Sequence, residues 1–311
     1  MPIILDIFKL FALFTFLGIS ADLVVRNIKH IAAVLRIRLF AFGILLGLVT
    51  TLPELTVGIN ATLEGVAGLS VGNLLGGIIV LFGLVVGSSL ILNRKISTDG
   101  NLKTLIPEIG IMFSLVLLGL DGKFGLLDGL LMISLYFGLV YYLYRVNHSF
   151  AGGGVVMVEK NKIIKAISLA VIGVVFLLLV SHWIVDASLE LLEYWNVSRL
   201  VMGFLIFSIG TNLPEISIAI TSWRKKNSEL SLSHILSSAF TNVLAMGMLA
   251  AIKPMSFSAG PAFYILSIFL AVILILFLFF YHSGKKMDRK EGVILLACYA
   301  LFLLVNFWLI K

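Results

Sequence analysis

Residues 38–59 read RLFAFGILLGLVTTLPELTVGI, and residues 199–220 read RLVMGFLIFSIGTNLPEISIAI. The two stretches superpose at a constant offset of 161 residues without a gap. Arg38, Leu39, Thr50, Leu52, Pro53 and Glu54 meet identical residues at Arg199, Leu200, Thr211, Leu213, Pro214 and Glu215. Each stretch is apolar for some ten residues and then carries Thr, Pro and Glu in its middle. A proline there has no N–H for the carbonyl four residues earlier, so Pro53 frees Val49 and Pro214 frees Gly210, and each helix must kink or break. Such carbonyls are tolerable inside a bilayer only where they face protein, water or an ion.

The setting of the two stretches is apolar throughout. Of 311 residues, 60% are hydrophobic and 13% charged, and the mean hydropathy is +1.12, whereas soluble domains are near half apolar and a quarter charged. Apolar runs at 4–25, 39–62, 66–92, 104–120, 124–144, 163–189, 199–222, 230–252, 258–281 and 291–310 give ten candidate spans. The first run lacks a basic leader and carries Lys9, so it reads as a retained helix. The loops after runs 1, 3, 5, 7 and 9, together with Lys165 at the start of run 6, hold 18 of the 23 basic residues, among them Arg26, Arg94, Arg145, Arg224 and Lys286. By the positive-inside rule those loops are cytoplasmic and both termini face outward, as in a multi-pass protein of the cell membrane. The net charge of +7 therefore follows from topology and calls for no nucleic-acid partner.

The repeat divides the chain at about residue 150. The first half, 1–150, and the second, 163–311, hold five spans each, joined by a Gly-rich cytoplasmic connector over 151–162. An odd number of spans per half forces the second to enter from the opposite side. The fold expected is thus an all-α integral membrane protein of ten transmembrane helices in two inverted-topology repeats of five, an arrangement that places binding sites at the repeat interface.

Within each repeated stretch Thr50 and Glu54, or Thr211 and Glu215, are four apart and share a helix face. Carboxylate, hydroxyl and loosened carbonyl are hard oxygen ligands suited to Ca²⁺ and Na⁺. An ionisable side chain at the bilayer centre costs at least ~2.5 kcal/mol. Two symmetry-related glutamates without a basic residue in either segment repel each other unless a cation or protons sit between them. A proline kink with a threonine hydroxyl on a backbone carbonyl needs no function, so the glutamates carry the argument. In the following span of the second half, SHILSSAFTNVLAMG, Ser238 and Asn242 are again four apart, whereas the matching positions of the first half are Gly77 and Leu81.

Gly-x-x-x-Thr-Thr-Leu-Pro-Glu (47–54) and Gly-Thr-Asn-Leu-Pro-Glu (210–215), in inverted halves of five spans, resemble the two α-repeats of the sodium/calcium exchanger superfamily. The resemblance covers essentially the whole chain, including Asp186 and the Val-Gly-Asn opening the third span. It implies that Glu54 and Glu215 coordinate Ca²⁺ and Na⁺ at mid-membrane. By residue matching, Thr50, Thr51, Thr211, Asn212 and the carbonyls of Gly47 and Ser208 complete the sites, and Ser238 and Asn242 match a further ligand pair. Family members usually carry Ser and Asn or Asp where Gly77 and Leu81 stand, and a small hydroxyl residue at Asn212. They carry Gly-Asn where this chain has Ser233 and His234.

The function expected is secondary antiport of Ca²⁺ against Na⁺ by alternating access, and the resemblance implies that the long first and sixth spans slide over a core. The alternatives are proton-coupled cation exchange and a non-transporting membrane sensor or subunit with a degenerate ion site. No enzyme motif and no Cys/His cluster occurs. No cofactor is implied beyond the transported ions, and no partner beyond the bilayer and small cations. His30, His148, His182, His234 and His282 read as interfacial or loop residues, Asp121, Asp128 and Asp186 as solvated outer residues, the phenylalanines of spans 1 and 9 as lipid-facing, and Cys298 as packing.

Overall fold

The computed structural model describes residues 2–34, 39–98, 100–146, 160–195, 197–224, 228–283 and 286–309; most of the expected connector lies outside them. The described residues are mainly helical. Helix α1 (Pro2–Val34) is followed by α2 (Leu39–Thr50), α3 (Leu52–Leu63) and α4 (Ala67–Ile79), which continues through a π-helical stretch, Val80–Val86, into α5 (Gly87–Asn93). After β1 (Lys95–Ser97) come α6 (Leu102–Leu118), β2 (Lys123–Phe124) and α7 (Leu126–Val146). The second half runs α8 (Lys160–Trp195), α9 (Arg199–Met202), a π-helical stretch Gly203–Phe207, α10 (Ser208–Thr211), α11 (Leu213–Arg224), α12 (Ser228–Ile252), β3 (Met255–Ser256), α13 (Pro261–His282), β4 (Lys286–Asp288) and α14 (Arg289–Leu309).

Among the described residues seven helices are long and apolar enough to cross a membrane, or eight if the bent pair Ile44–Thr50 and Leu52–Leu63 is one span. The fourth apolar run forms α6, of 17 residues, which contains Pro107. The seventh forms the short apolar stretch Arg199–Thr211 and then α11. The ten runs therefore all fold as helices, of which seven or eight qualify as spans by length and apolarity.

Both repeated stretches break where proline requires it. Thr51, at φ −83° and ψ 0°, interrupts α2 and α3, and its mate Asn212, at φ −84° and ψ 11°, interrupts α10 and α11. In the first half the bend is 45°. Each break leaves a glutamate in the first turn of the following helix, Glu54 in α3 and Glu215 in α11. The N-terminus of that helix, with its unpaired N–H groups, favours a negative charge there.

The halves interlock. Helix α4 of the first half crosses the α9–α10 segment of the second, and α12 of the second half crosses α2 of the first. The crossings are close because small residues line them. A Cβ on Gly76 would lie 2.6 Å from the Cβ of Phe204, and one on Gly47 would strike the Ser237 side chain. Two short ladders complete the pattern: β1 pairs with β4 (Lys95↔Asp288 to Ser97↔Lys286), and β2 pairs with β3 (Lys123↔Ser256, Phe124↔Met255). Each joins one half to the other. Because β1 and β3 are repeat mates, as are β2 and β4, each ladder is the counterpart of the other.

Burial sorts the helices into core and shell. The stretches Ala67–Asn93 and Leu232–Ile252, repeat mates, are each 83% buried over their most apolar window, against 28–33% for α1, α7, α8 and α14. Helices α1 and α8 pack along each other and expose Phe8, Phe11, Phe16, Ile172 and Phe176 outward. The expectation that the phenylalanines of the first and ninth runs all face lipid is corrected here. Phe14 turns inward against Phe207, with ring centroids 5.7 Å apart, and Phe263, Phe277 and Phe280 of α13 are buried.

Candidate cation site

Glu54 and Glu215, each 1% exposed, stand one at each helix break. They are close enough for their charges to act on each other, and each carboxylate also faces its own backbone N–H. Their hydroxyl neighbours are exchanged between halves: Thr211 of the second half lies beside Glu54, and Thr50 of the first beside Glu215. The Ser238 hydroxyl donates to Glu215 Oε1 at 2.9 Å. One oxygen of each glutamate, Oε2, is buried without a hydrogen-bond partner. No lysine or arginine neutralises either carboxylate in an ion pair among the described residues.

The two threonines are held from outside by a matched pair. The Thr211 hydroxyl lies 3.0 Å from Asn73 Oδ1 and 3.0 Å from the Phe207 carbonyl. The Thr50 hydroxyl lies 3.2 Å from His234 Nε2 and 3.2 Å from the Gly47 carbonyl. Asn73 and His234 are themselves 161 residues apart. The histidine that the sequence reading placed at an interface is thus buried beside the site, and that expectation is corrected. The signal that could have found it was the repeat offset, which sets it over the asparagine of Val-Gly-Asn. Asn73 Nδ2 and His234 Nδ1 remain buried and unpartnered.

The remaining expected residues divide into two flanks. Thr51 turns its hydroxyl back to the Gly47 carbonyl at 2.8 Å, and the Thr51 N–H reaches the same oxygen at 3.1 Å. Asn212, the mate of Thr51, donates its side-chain N–H to the Ser208 carbonyl at 2.8 Å. Asn242 donates to the Leu74 carbonyl at 3.1 Å. Both carbonyls expected as ligands, Gly47 and Ser208, therefore carry internal donors. Leu81, the mate of Asn242, is fully buried in the core. Asp186 stays at the surface, 3.3 Å from His182, and Asp121 is exposed and accepts from the Lys123 N–H.

Among the described residues no three His, Cys, Asp or Glu side chains cluster. The donor set is two carboxylates with neutral hydroxyl, amide and carbonyl oxygens, which suits a hard cation and not a soft one. A buried carboxylate pair without basic partners is electrostatically incomplete, and a cation between the two unpartnered oxygens would relieve both the desolvation and the mutual repulsion.

Known proteins resemble the chain in sequence and in fold. A family profile described as "Sodium/calcium exchanger protein" matches residues 7–145 and 165–308. The sodium/calcium exchanger MaX1 of Methanosarcina acetivorans is 24% identical over 337 residues, covering 94% of this chain and 96% of its own. The sodium-calcium exchanger NCX_Mj, soaked with Na⁺ and Sr²⁺, superposes with a TM-score of 0.67 at 21% identity, over 97% of this chain and 98% of that one. An H⁺/Ca²⁺ exchanger, CAX, superposes at 0.78 and 16% identity, over 98% of this chain and 84% of that one.

Proposed function

The chain belongs to the sodium/calcium exchanger protein family, and from that premise we propose that it exchanges Ca²⁺ for Na⁺ across the cell membrane by alternating access. The observation that carries the reading is the glutamate pair, buried at two mirrored helix breaks with one free oxygen on each residue. Ca²⁺ takes six to eight oxygens at 2.3–2.6 Å. Glu54 and Glu215 supply the charge; Thr50, Thr211, Ser238 and the carbonyls loosened by Pro53 and Pro214 supply neutral oxygens around them. Thr51, Asn212, Asn242 and the carbonyls of Gly47 and Ser208 form the flanks.

Competition provides the coupling. An empty site holding two carboxylates resists crossing the low-dielectric core, while a site neutralised by either ion crosses readily. In this reading the chain spans the membrane ten times as two inverted halves, with both termini outside. The shell helices α1 and α8 move over the interlocked core to change which side the glutamates face. Their packing on each other and their low burial support that division.

The test is calcium flux in proteoliposomes. Na⁺-gradient-driven Ca²⁺ uptake is expected in the native chain and is expected to vanish in Glu54→Gln and in Glu215→Gln. Undiminished uptake in either variant overturns the reading. Proton coupling is the second reading, favoured by Gly77 and Leu81, which offer no side-chain oxygen to a monovalent ion. Ca²⁺ uptake driven by a pH gradient in Na⁺-free buffer distinguishes it.

A further inference from the structure

The two flanks of the glutamate pair are repeat mates, yet they present opposite chemistry. In the second half Ser238 places a hydroxyl 2.9 Å from Glu215 Oε1. Its mate in the first half is Gly77, which has no side chain to offer. The room so left is taken by amides. A Cβ built on Gly77 would lie 3.1 Å from Asn212 Nδ2 and 3.2 Å from Asn242 Nδ2.

Both amide orientations are set by their partners. Asn212 Nδ2 sits 2.8 Å from the Ser208 carbonyl and Asn242 Nδ2 sits 3.1 Å from the Leu74 carbonyl. A carbonyl can only accept, so nitrogen and not oxygen must stand at each contact. The space over Gly77 is therefore bordered by two N–H₂ groups, the positive ends of amide dipoles. The mate of Asn212, Thr51, is a small hydroxyl residue whose oxygen bonds back to its own helix. Asn212 does more than fill volume. It occupies one of the two acceptor positions of the Ser208 carbonyl and turns Nδ2, not Oδ1, toward Gly77, while Oδ1 is buried and unpartnered. Leu81, the mate of Asn242, is fully buried.

We propose that Asn212, seated in the room left by Gly77, closes the cation subsite on that flank, so that the chain binds fewer monovalent cations per Ca²⁺ than a site with hydroxyls on both flanks. Asn212 is in this view a specificity-determining residue of the site. Its contribution is to exclude an ion, and only the flank of Ser238 remains open. The inference rests on the antiport reading and deepens it.

The experiment measures displacement of bound ⁴⁵Ca²⁺ by Na⁺ on the purified full chain, in the native protein and in two variants. Gly77→Ser with Asn212→Thr gives the first flank the hydroxyls that the second already has. Asn212→Asp keeps the shape of the side chain, removes the N–H₂ donor and adds an acceptor charge, so it serves even if the double variant does not fold. In the double variant the Hill coefficient for Na⁺ is expected to rise, by up to about the one that an added site allows. In Asn212→Asp the Hill coefficient for Na⁺ is likewise expected to rise, whatever the shift in half-displacement, since a new carboxylate opens the flank to a cation while also strengthening the hold on Ca²⁺. An unchanged Hill coefficient in whichever variants fold overturns the inference while leaving antiport intact, as does loss of Ca²⁺ binding in the double variant, which would make Asn212 a ligand of the divalent ion. A native chain that binds no Ca²⁺ overturns the antiport reading and the inference with it.

Discussion

Thr50 and Thr211 hold corresponding posts, each beside the other half's glutamate and each steadied by a residue of the other half, His234 or Asn73. A hydroxyl fixed by one neighbour presents its lone pairs in a set direction, and a single such hydrogen bond contributes about 1 kcal/mol. Asn73→Ala and His234→Ala are each expected to weaken Ca²⁺ binding roughly five-fold, the equivalent of that energy, as read by isothermal titration. His234→Asn installs the first half's own residue and is expected to retain near-native affinity. If His234→Asn is as weak as His234→Ala, the two positions are not equivalent. The glutamates were readable from sequence because a carboxylate inside an apolar run has no inexpensive structural use. His234 was not, because a histidine near a span end is usually interfacial, and only its offset from Asn73 sets it apart. The amide contacts over Gly77 were beyond sequence reading as well, since they depend on how closely two distant helices approach.

At the scale of elements the helix breaks and the glycine-lined crossings decide the geometry. Pro53 removes the N–H that would close the turn on Val49, and α3 starts afresh with Glu54 in its first turn. Pro53→Ala restores the donor and lets α2 run into α3. Ca²⁺ flux is expected to fall at least about ten-fold while thermal stability in detergent stays level or rises, because proline inside a continuous helix costs ~3 kcal/mol. A normal flux would show the break to be incidental. Gly76 rests against Phe204, and any larger side chain there must push α4 away from the second half. Gly76→Leu is expected to destabilise the fold by about 1–3 kcal/mol or more, seen as a lowered midpoint in thermal unfolding. The breaks were readable, since proline and its freed carbonyl are local facts. The π-helical stretches at Val80–Val86 and Gly203–Phe207 were not. They occupy non-equivalent places in the two halves, and nothing in residue type marks them.

Across the whole molecule the ten apolar runs and the alternation of basic loops were plain in the sequence, whereas the division into buried centre and exposed shell was not. The central stretch Ala67–Asn93 is the more apolar of the two 83%-buried stretches, with mean hydropathy 2.5, yet α8, which faces outward, reaches 2.8. In a bilayer, protein interior and lipid are equally apolar, so hydropathy cannot tell them apart; small residues and crossings can. Orientation is open to direct test. A cysteine at Lys95, in the ladder of β1 and β4, is expected to react with an impermeant thiol reagent only from the cytoplasmic side. One at Lys123, in the ladder of β2 and β3, is expected to react only from outside. Labelling of both from one side would contradict the inverted arrangement.

The swapped ladders have a bearing on ancestry and assembly. Neither half closes its own edges: each lends a strand to the other at one end of the molecule and borrows one at the opposite end. A five-helix ancestor built on this plan would have been complete only as an antiparallel homodimer, inserting in both directions. Joined in one chain, the two copies need no longer be identical, and Gly77 and Asn212 do differ from their mates Ser238 and Thr51. The same logic extends to the present chain when it is severed near residue 150: two fragments made together should find each other and recover ion exchange, while either one alone should be degraded.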